Sequence, residues 1–219
     1  MQQKFIKKTD SDTLNLIFLG YGQDERAFYY LNKSHSDTDI AFIYDYSDLK
    51  FSDEDYQSYQ KINLIAWSMG VMIAPRVIAN SPIKDRIVTA SAVNGTQEGI
   101  DDTLGIPENL WDGTIAALSE KSVLKFYRRM CGDAACYENY IKTRPERTVE
   151  SLKTELCYIK ETARLPDSSA FSYTRAFIGA KDRIFAPQNQ KNSWEKHKTP
   201  YEIKEIAHYS PDLLVSLVI

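Results

Sequence analysis

The chain has 219 residues, 43% hydrophobic and 26% charged, with a formal net charge of −3 and a pI near 5.7. That length supports one substantial core and is short for two complete domains, and the weakly acidic balance offers nothing for a nucleic-acid partner. The opening MQQKFIKKTD turns polar before a signal sequence could develop, and no run approaches the roughly eighteen apolar residues of a membrane span, so the expected location is the cytoplasm.

In chain order, the first half alternates strand and helix signals. Residues 14–20 (LNLIFLG) form a short apolar run ending at glycine, read as a buried strand and a turn. Residues 23–31 have helical composition, and residues 39–46 (DIAFIYDY) are rich in β-favouring side chains. A third strand, 63–67 (NLIAW), runs directly into Ser68-Met69-Gly70. Beyond it, Val71, Met72, Ile73, Val77 and Ile78 suit the buried side of a helix that closes near Asn80-Ser81-Pro82. Residues 87–93 (IVTASAV) read as a fourth strand stopping at Asn94-Gly95. Such alternation predicts an α/β fold with a mostly parallel central sheet and right-handed crossovers.

Between residues 101 and 169 strand-like runs disappear, and amphipathic stretches at 109–118, 123–130 and 149–164 predict a helical cap inserted into a single domain. The sheet resumes at 171–179 (FSYTRAFIG), Pro187 suits a first helical turn, 201–206 (YEIKEI) reads as the last strand, and 211–219 as a short final helix. Cys131, Cys136 and Cys157 all lie in the middle segment. An odd count without zinc-ligand spacing predicts free thiols rather than a disulfide framework or metal site.

Ala66-Trp67-Ser68-Met69-Gly70 carries the chemistry. At a strand-to-helix junction a G-x-S-x-G elbow exposes its serine on a tight turn, which needs small residues two positions to either side. Here Ala66 replaces the first glycine. The bland alternative for Ser68 is a helix N-cap. A serine hydroxyl is a weak nucleophile unless a base stands within hydrogen-bonding reach. The chain has three histidines. His35 lies in a polar loop too early for this architecture, and His197 sits in Lys-His-Lys at a polar helix end. His208 directly follows the last predicted strand, as the order Ser, acid, His requires.

The acid belongs between them at a strand end. Asp182, after the FIGAK run, fits that place and also fits an ordinary turn-forming aspartate. Backbone N–H groups of Met69 and of Tyr21, in Gly20-Tyr21-Gly22, are the expected oxyanion donors. The Gly20-Tyr21-Gly22 turn does not match the glycine pattern of a phosphate-binding loop.

The combination FLGYG, YDYSDL, AWSMG, AVNGT, DDTLGIP, FYRRMCGD and KDRIFAP resembles the BioG family of pimeloyl-[acyl-carrier protein] methyl ester esterases, over residues 14–208. The resemblance implies an α/β-hydrolase fold and a role in biotin synthesis: removal of the methyl ester that masks the distal carboxylate of the pimeloyl carrier. It implies Ser68 as nucleophile, Asp182 as acid and His208 as base, with no cofactor. Tyr21 falls where relatives often carry tryptophan, and the chain ends soon after His208, where relatives have a further helical segment.

Across 121–164 there are ten basic residues against six acidic ones. Arg128, Arg129, Lys142, Arg144 and Arg147 are therefore candidates for docking an acidic carrier protein, although wet helix faces carry such residues anyway. Two other readings fit the same residues. One is a general carboxylesterase or thioesterase, which prefers a different acyl chain. The other is a non-catalytic binding protein on a hydrolase scaffold, in which His208 or Asp182 does not converge on Ser68.

Overall fold

The computed structural model describes residues 1–33, 37–165 and 171–219. Its seven strands are β1 (Gln2–Lys7), β2 (Thr13–Phe18), β3 (Asp39–Tyr44), β4 (Lys61–Trp67), β5 (Ile87–Val93), β6 (Arg175–Gly179) and β7 (Tyr201–Lys204). They form one sheet in the order β1-β3-β2-β4-β5-β6-β7. Only the β1–β3 pair is antiparallel. The helices are α1 (Gly70–Ile78), α2 (Glu108–Ala116), α3 (Glu120–Cys131), α4 (Ala134–Tyr140), α5 (Val149–Arg164), α6 (Pro187–His197) and α7 (Pro211–Leu217).

The central strands are buried on both faces, so they read as continuous apolar runs rather than alternating ones. Side-chain parity still divides them. Leu14, Leu16 and Phe18 of β2 face a core shared with Val71, Met72 and Ile73 of α1 and Trp194 of α6. Ile17 and Leu19 face the opposite core, with Phe28, Leu31 and, from α7, Leu214 and Leu217. Two buried asparagines interrupt that second face for a reason. Asn63 donates to the Leu217 carbonyl at 2.8 Å and to Asn15 at 2.7 Å, and Asn15 exchanges hydrogen bonds with the backbone of Ile219. They satisfy peptide groups at the end of α7 that a helix terminus leaves open.

Several expected elements differ. The edge strand β1 has no counterpart in the sequence reading, because QQKFIK sits half-exposed at the rim and lacks an apolar signature. The segment expected as a helix at 23–31 is a 3₁₀ helix, Glu25–Lys33. The strand expected from residue 171 begins at Arg175 and the last strand stops at Lys204. Helix α4 was not anticipated, being only seven residues, most of them exposed, started by the Asp133 side chain, which accepts from Cys136 N. Residues 166–169, the end of the expected helical insertion, lie outside the described residues. Helices α2 to α5 all fall between β5 and β6. Among the described residues no helix is long and apolar enough to cross a membrane.

Arg147 and Glu155 connect this helical segment to the sheet. Glu155, on α5, is fully buried, and Arg147 Nη2 lies 3.2 Å from its Oε2 and 2.8 Å from Asp45 Oδ1. Burial pushes the Glu155 carboxyl up from 4.5 to about 7, and Arg147 and the backbone N–H groups of Tyr46 and Gly22 oppose the rise.

Two expectations follow from this packing. A methyl at Gly70 would lie 2.5 Å from the Phe18 carbonyl oxygen and 2.6 Å from that of Leu19, so Gly70→Ala should lower unfolding free energy by about 1–3 kcal/mol in urea titrations. Because the folded-state pKa of Glu155 is raised, its proton-linked stability is complete below the unfolded value and is lost as pH rises through about 7. Glu155→Gln should flatten the stability–pH curve in that window by on the order of 2–3 kcal/mol, read from urea midpoints at each pH.

Candidate active site

Ser68 occupies the sharp turn between β4, the middle strand, and α1. Its φ is +58°, a left-handed conformation that costs a non-glycine residue on the order of 1–3 kcal/mol and persists only where the surroundings impose it. The surroundings are visible. Ser68 N donates to Val93 O at 2.9 Å, extending the β4–β5 ladder. Small residues admit the turn: a methyl on Gly95 would stand 2.3 Å from the Ser68 carbonyl oxygen, and one on Gly20 would stand 2.8 Å from Ser68 Cβ and 3.1 Å from its Oγ. Ala66 is tolerated in place of glycine, fully buried and paired with Ala92.

The Ser68 hydroxyl does not cap the helix. Residue Met69 holds the N-cap position of α1 without a side-chain cap bond, and Ser68 Oγ lies 3.0 Å from His208 Nε2. His208 Nδ1 lies 2.9 Å from Asp182 Oδ2. The three residues, far apart in sequence, thus form one hydrogen-bonded row, with Ser68 4%, Asp182 5% and His208 0% exposed. In such a row the imidazole can take the hydroxyl proton while the carboxylate holds its tautomer and offsets the charge it gains.

Asp182 is held by four donors. Its Oδ1 accepts from Ile184 N at 2.7 Å and Phe185 N at 3.0 Å, the turn its composition suggested, while Oδ2 accepts from Gln190 Nε2 at 3.0 Å as well as facing His208. The loop carrying His208 is held through its backbone. Trp67 Nε1 donates to the His208 carbonyl at 2.8 Å, and Asn94 Nδ2 donates to the carbonyls of Ala207 at 2.9 Å and His208 at 2.8 Å. Asn94 Oδ1 also accepts from Gly179 N at 2.6 Å, so one side chain ties the ends of the segments bearing Asp182 and His208. The His208 ring stacks on Phe185, at 6.1 Å and 9°.

Trp67, Asn94 and Gln190 were not foreseen as contributors. The one available signal was Asn94-Gly95 closing a strand beside the elbow, since Asn tolerates the left-handed φ of +48° found there.

Of the other histidines, His35 lies outside the described residues. His197, at the polar end of α6, is half-buried with Nε2 2.9 Å from Glu98 Oε1. Ser193 and Lys196 join it on the same carboxylate, and these partners outweigh burial to hold Glu98 down at about 2.

Beside Ser68 opens a cavity of about 430 Å³, within the roughly 300–1,000 Å³ range of small-molecule sites. Tyr21, Trp111 and Phe126 meet edge to face at its wall, at 6.2 and 5.9 Å from the Tyr21 ring. Leu118, Leu152 and Leu156 continue the apolar lining, and Tyr21 and Met69 border it near Ser68. The charged lining residues Lys125, Arg129 and Arg183 are exposed and stand at its solvent edge. None of the three forms an ion pair among the described residues.

The five expected docking residues separate. Arg129 is at the cavity edge. Arg128 is exposed, with its guanidinium 5.7 Å from the Tyr137 ring. Lys142 and Arg144 are exposed and flank Thr143, which lines a different depression beside Lys4 and Glu25. Arg147 is a correction: its side chain is 8% exposed and committed to Asp45, Glu155, Ser151 and the Gln23 carbonyl, so it has no charge left to present to a partner. The thiols of Cys131, Cys136 and Cys157 are free, and Cys157 is exposed. No cluster of His, Cys, Asp and Glu suited to a metal occurs among the described residues.

Comparison with known proteins finds relatives in both sequence and fold. A Bacteroides fragilis protein named malonyl-[acyl-carrier protein] O-methyltransferase is 38% identical over 202 residues, covering 91% of this chain and 40% of that protein; the chain thus spans less than half of that relative's length. The crystal structure of BioG from Haemophilus influenzae superposes with a TM-score of 0.86 at 34% identity, covering 97% of this chain and 96% of that one. A lipase-esterase related protein from Clostridium acetobutylicum, at 13% identity, shares the fold with a TM-score of 0.69 over 98% of this chain and 96% of its own. The family model described as pimeloyl-ACP methyl esterase BioG matches residues 1–214. With the α/β-hydrolase fold and a whole-chain family match both in hand, the chain belongs to the BioG family.

Proposed function

We propose that this chain is a cytoplasmic serine esterase that hydrolyses the methyl ester of pimeloyl-[acyl-carrier protein], releasing methanol, during biotin synthesis. The observation that carries the chemistry is the buried row Ser68–His208–Asp182, at 3.0 and 2.9 Å. The identity of the ester rests on the family description.

In this reading Ser68 Oγ attacks the ester carbonyl as His208 Nε2 accepts its proton. The oxyanion is held by the N–H of Met69, at the start of α1, where the helix dipole also favours negative charge. The second donor is the N–H of Tyr21; the close approach of Gly20 to Ser68 brings its loop alongside the nucleophile. The imidazolium returns the proton to the departing methoxide. Water, deprotonated by the same imidazole, then attacks the acyl-enzyme, and Ser68 leaves with the proton restored. The apolar cavity takes the acyl chain, and Lys125, Arg129 and Arg183 face the anionic carrier end of the substrate.

The Bacteroides relative's name describes methyl transfer to a malonyl carrier, but this chain corresponds to 40% of it. A hydroxyl–imidazole–carboxylate row is machinery for acyl transfer, so hydrolysis is the activity assigned to this segment.

Ser68→Ala should cut methanol release from the carrier-linked methyl ester by about a million-fold, measured as turnover against wild type. Wild-type cleavage of short soluble esters alone would keep the hydrolase and discard the carrier substrate. Reversing Lys125, Arg129 and Arg183 to Glu should lower kcat/KM for the carrier-linked ester by about tenfold or more at low salt, with a smaller effect on a short soluble ester.

A further inference from the structure

Glu155 takes no part in the reaction just described, yet its carboxylate lies wholly inside the protein and all its partners are donors. Oε2 accepts from Gly22 N at 3.2 Å and Oε1 from Tyr46 N at 3.1 Å. Gly22 is the residue after Tyr21, and Tyr46 in turn donates its hydroxyl to the Leu19 carbonyl at 2.6 Å, just before Gly20. Glu155 therefore grips the 20–22 loop directly at its far end and, through Tyr46, at its near end.

The neighbouring contacts act on the same loop. Arg147, paired with Glu155, donates to the Gln23 carbonyl at 3.2 Å. Tyr140 donates its hydroxyl to Gln23 Oε1 at 2.7 Å, and Asp24 accepts from Glu146 N at 2.8 Å. A loop with two glycines, Gly22 among them at φ +70°, has little conformational preference of its own. Its aim must come from outside. A buried ion pair adds little net stability compared with apolar side chains of like volume, so packing alone does not account for a carboxylate in this place.

We propose that Glu155, anchored by Arg147, is a positioning residue that holds the Gly20–Gly22 turn so that the Tyr21 N–H points at the oxyanion formed on Ser68. The proposal rests on the reading of Ser68 as nucleophile. It couples the helical segment between β5 and β6 to the reaction: α5 supplies both cavity wall, through Leu152 and Leu156, and the anchor of the turn.

The test compares wild type with Glu155→Gln, which keeps the shape but turns one acceptor into a donor facing an N–H. Four quantities are read above the Glu155 pKa: the rate of Ser68 phosphonylation by a fluorophosphonate, kcat and KM for p-nitrophenyl butyrate, and the thermal midpoint. In the folded variant, phosphonylation and kcat should fall about tenfold to a hundredfold while KM stays within about twofold, since an oxyanion donor acts in the transition state. Unchanged phosphonylation and kcat, or a loss confined to KM, overturns the proposal. A wild type that is not phosphonylated at Ser68 instead overturns the reading of the nucleophile, and the positioning role with it. If Glu155→Gln does not fold, Arg147→Lys decides by the same measurements. That variant keeps a charge beside Glu155 but releases the Gln23 carbonyl, and an undiminished rate refutes the role.

Discussion

A serine forced into the left-handed region at the end of the middle strand is the constraint around which the rest of this structure is arranged. With Ser68 at φ +58° the chain passes from β4 into α1 within two residues, Ser68 and Met69. The turn is therefore crowded by neighbouring segments. The carbonyls of Phe18 and Leu19 press on Gly70, the carbonyl of Ser68 on Gly95, and Ser68 itself on Gly20. Each glycine sits in a different segment of the chain. The cost of the turn is met by close packing around it.

From that fixed point the sheet distributes the remaining groups. β5 lies beside β4 and continues its ladder past Ser68, and β6 continues from β5 through Asn94 N to the Phe177 carbonyl. Parallel strands end in register at one edge, so the loops after β6 and β7 deliver Asp182 and His208 to that edge without long excursions. The orientation of His208 is then decided by groups outside the row: Trp67 and Asn94 hold its backbone, Phe185 covers its ring, and Gln190 steadies the carboxylate it faces.

The helices between β5 and β6 answer a different need. A parallel sheet edge alone is open to water, whereas the proposed acyl transfer needs an apolar space beside Ser68 in which fixed dipoles act with little screening. Trp111, Phe126 and Leu156 provide that space. Cations are confined to its solvent edge, while Arg147, which the charge pattern suggested as another surface cation, is drawn inside by Asp45 and Glu155. Charge counts along a sequence do not say which side of a helix or loop a residue faces, so five equivalent candidates became one at the cavity edge, three elsewhere on the surface and one in the interior.

Much of this was legible in the residues themselves. The apolar runs at 14–20, 39–46 and 87–93, the AWSMG turn, and the order of Ser68, Asp182 and His208 follow from local rules: strands buried on both faces are continuously apolar, and a tight turn excludes bulk. The 149–164 helix was readable because its apolar periodicity is local too. The edge strand β1, the 3₁₀ character of Glu25–Lys33 and helix α4 were not legible, since exposed or polar segments take their conformation from neighbours distant in sequence. By itself the sequence determined the fold class, the elbow and the order of the groups along the chain, all of which depend on short-range sterics and hydrophobic pattern. Tertiary structure alone decided that Asn94 joins two loops, that Arg147 is internal and that Glu155 reaches Gly22. Each of those is a hydrogen bond between residues 85 to 133 positions apart, and no local pattern encodes a partner at that distance.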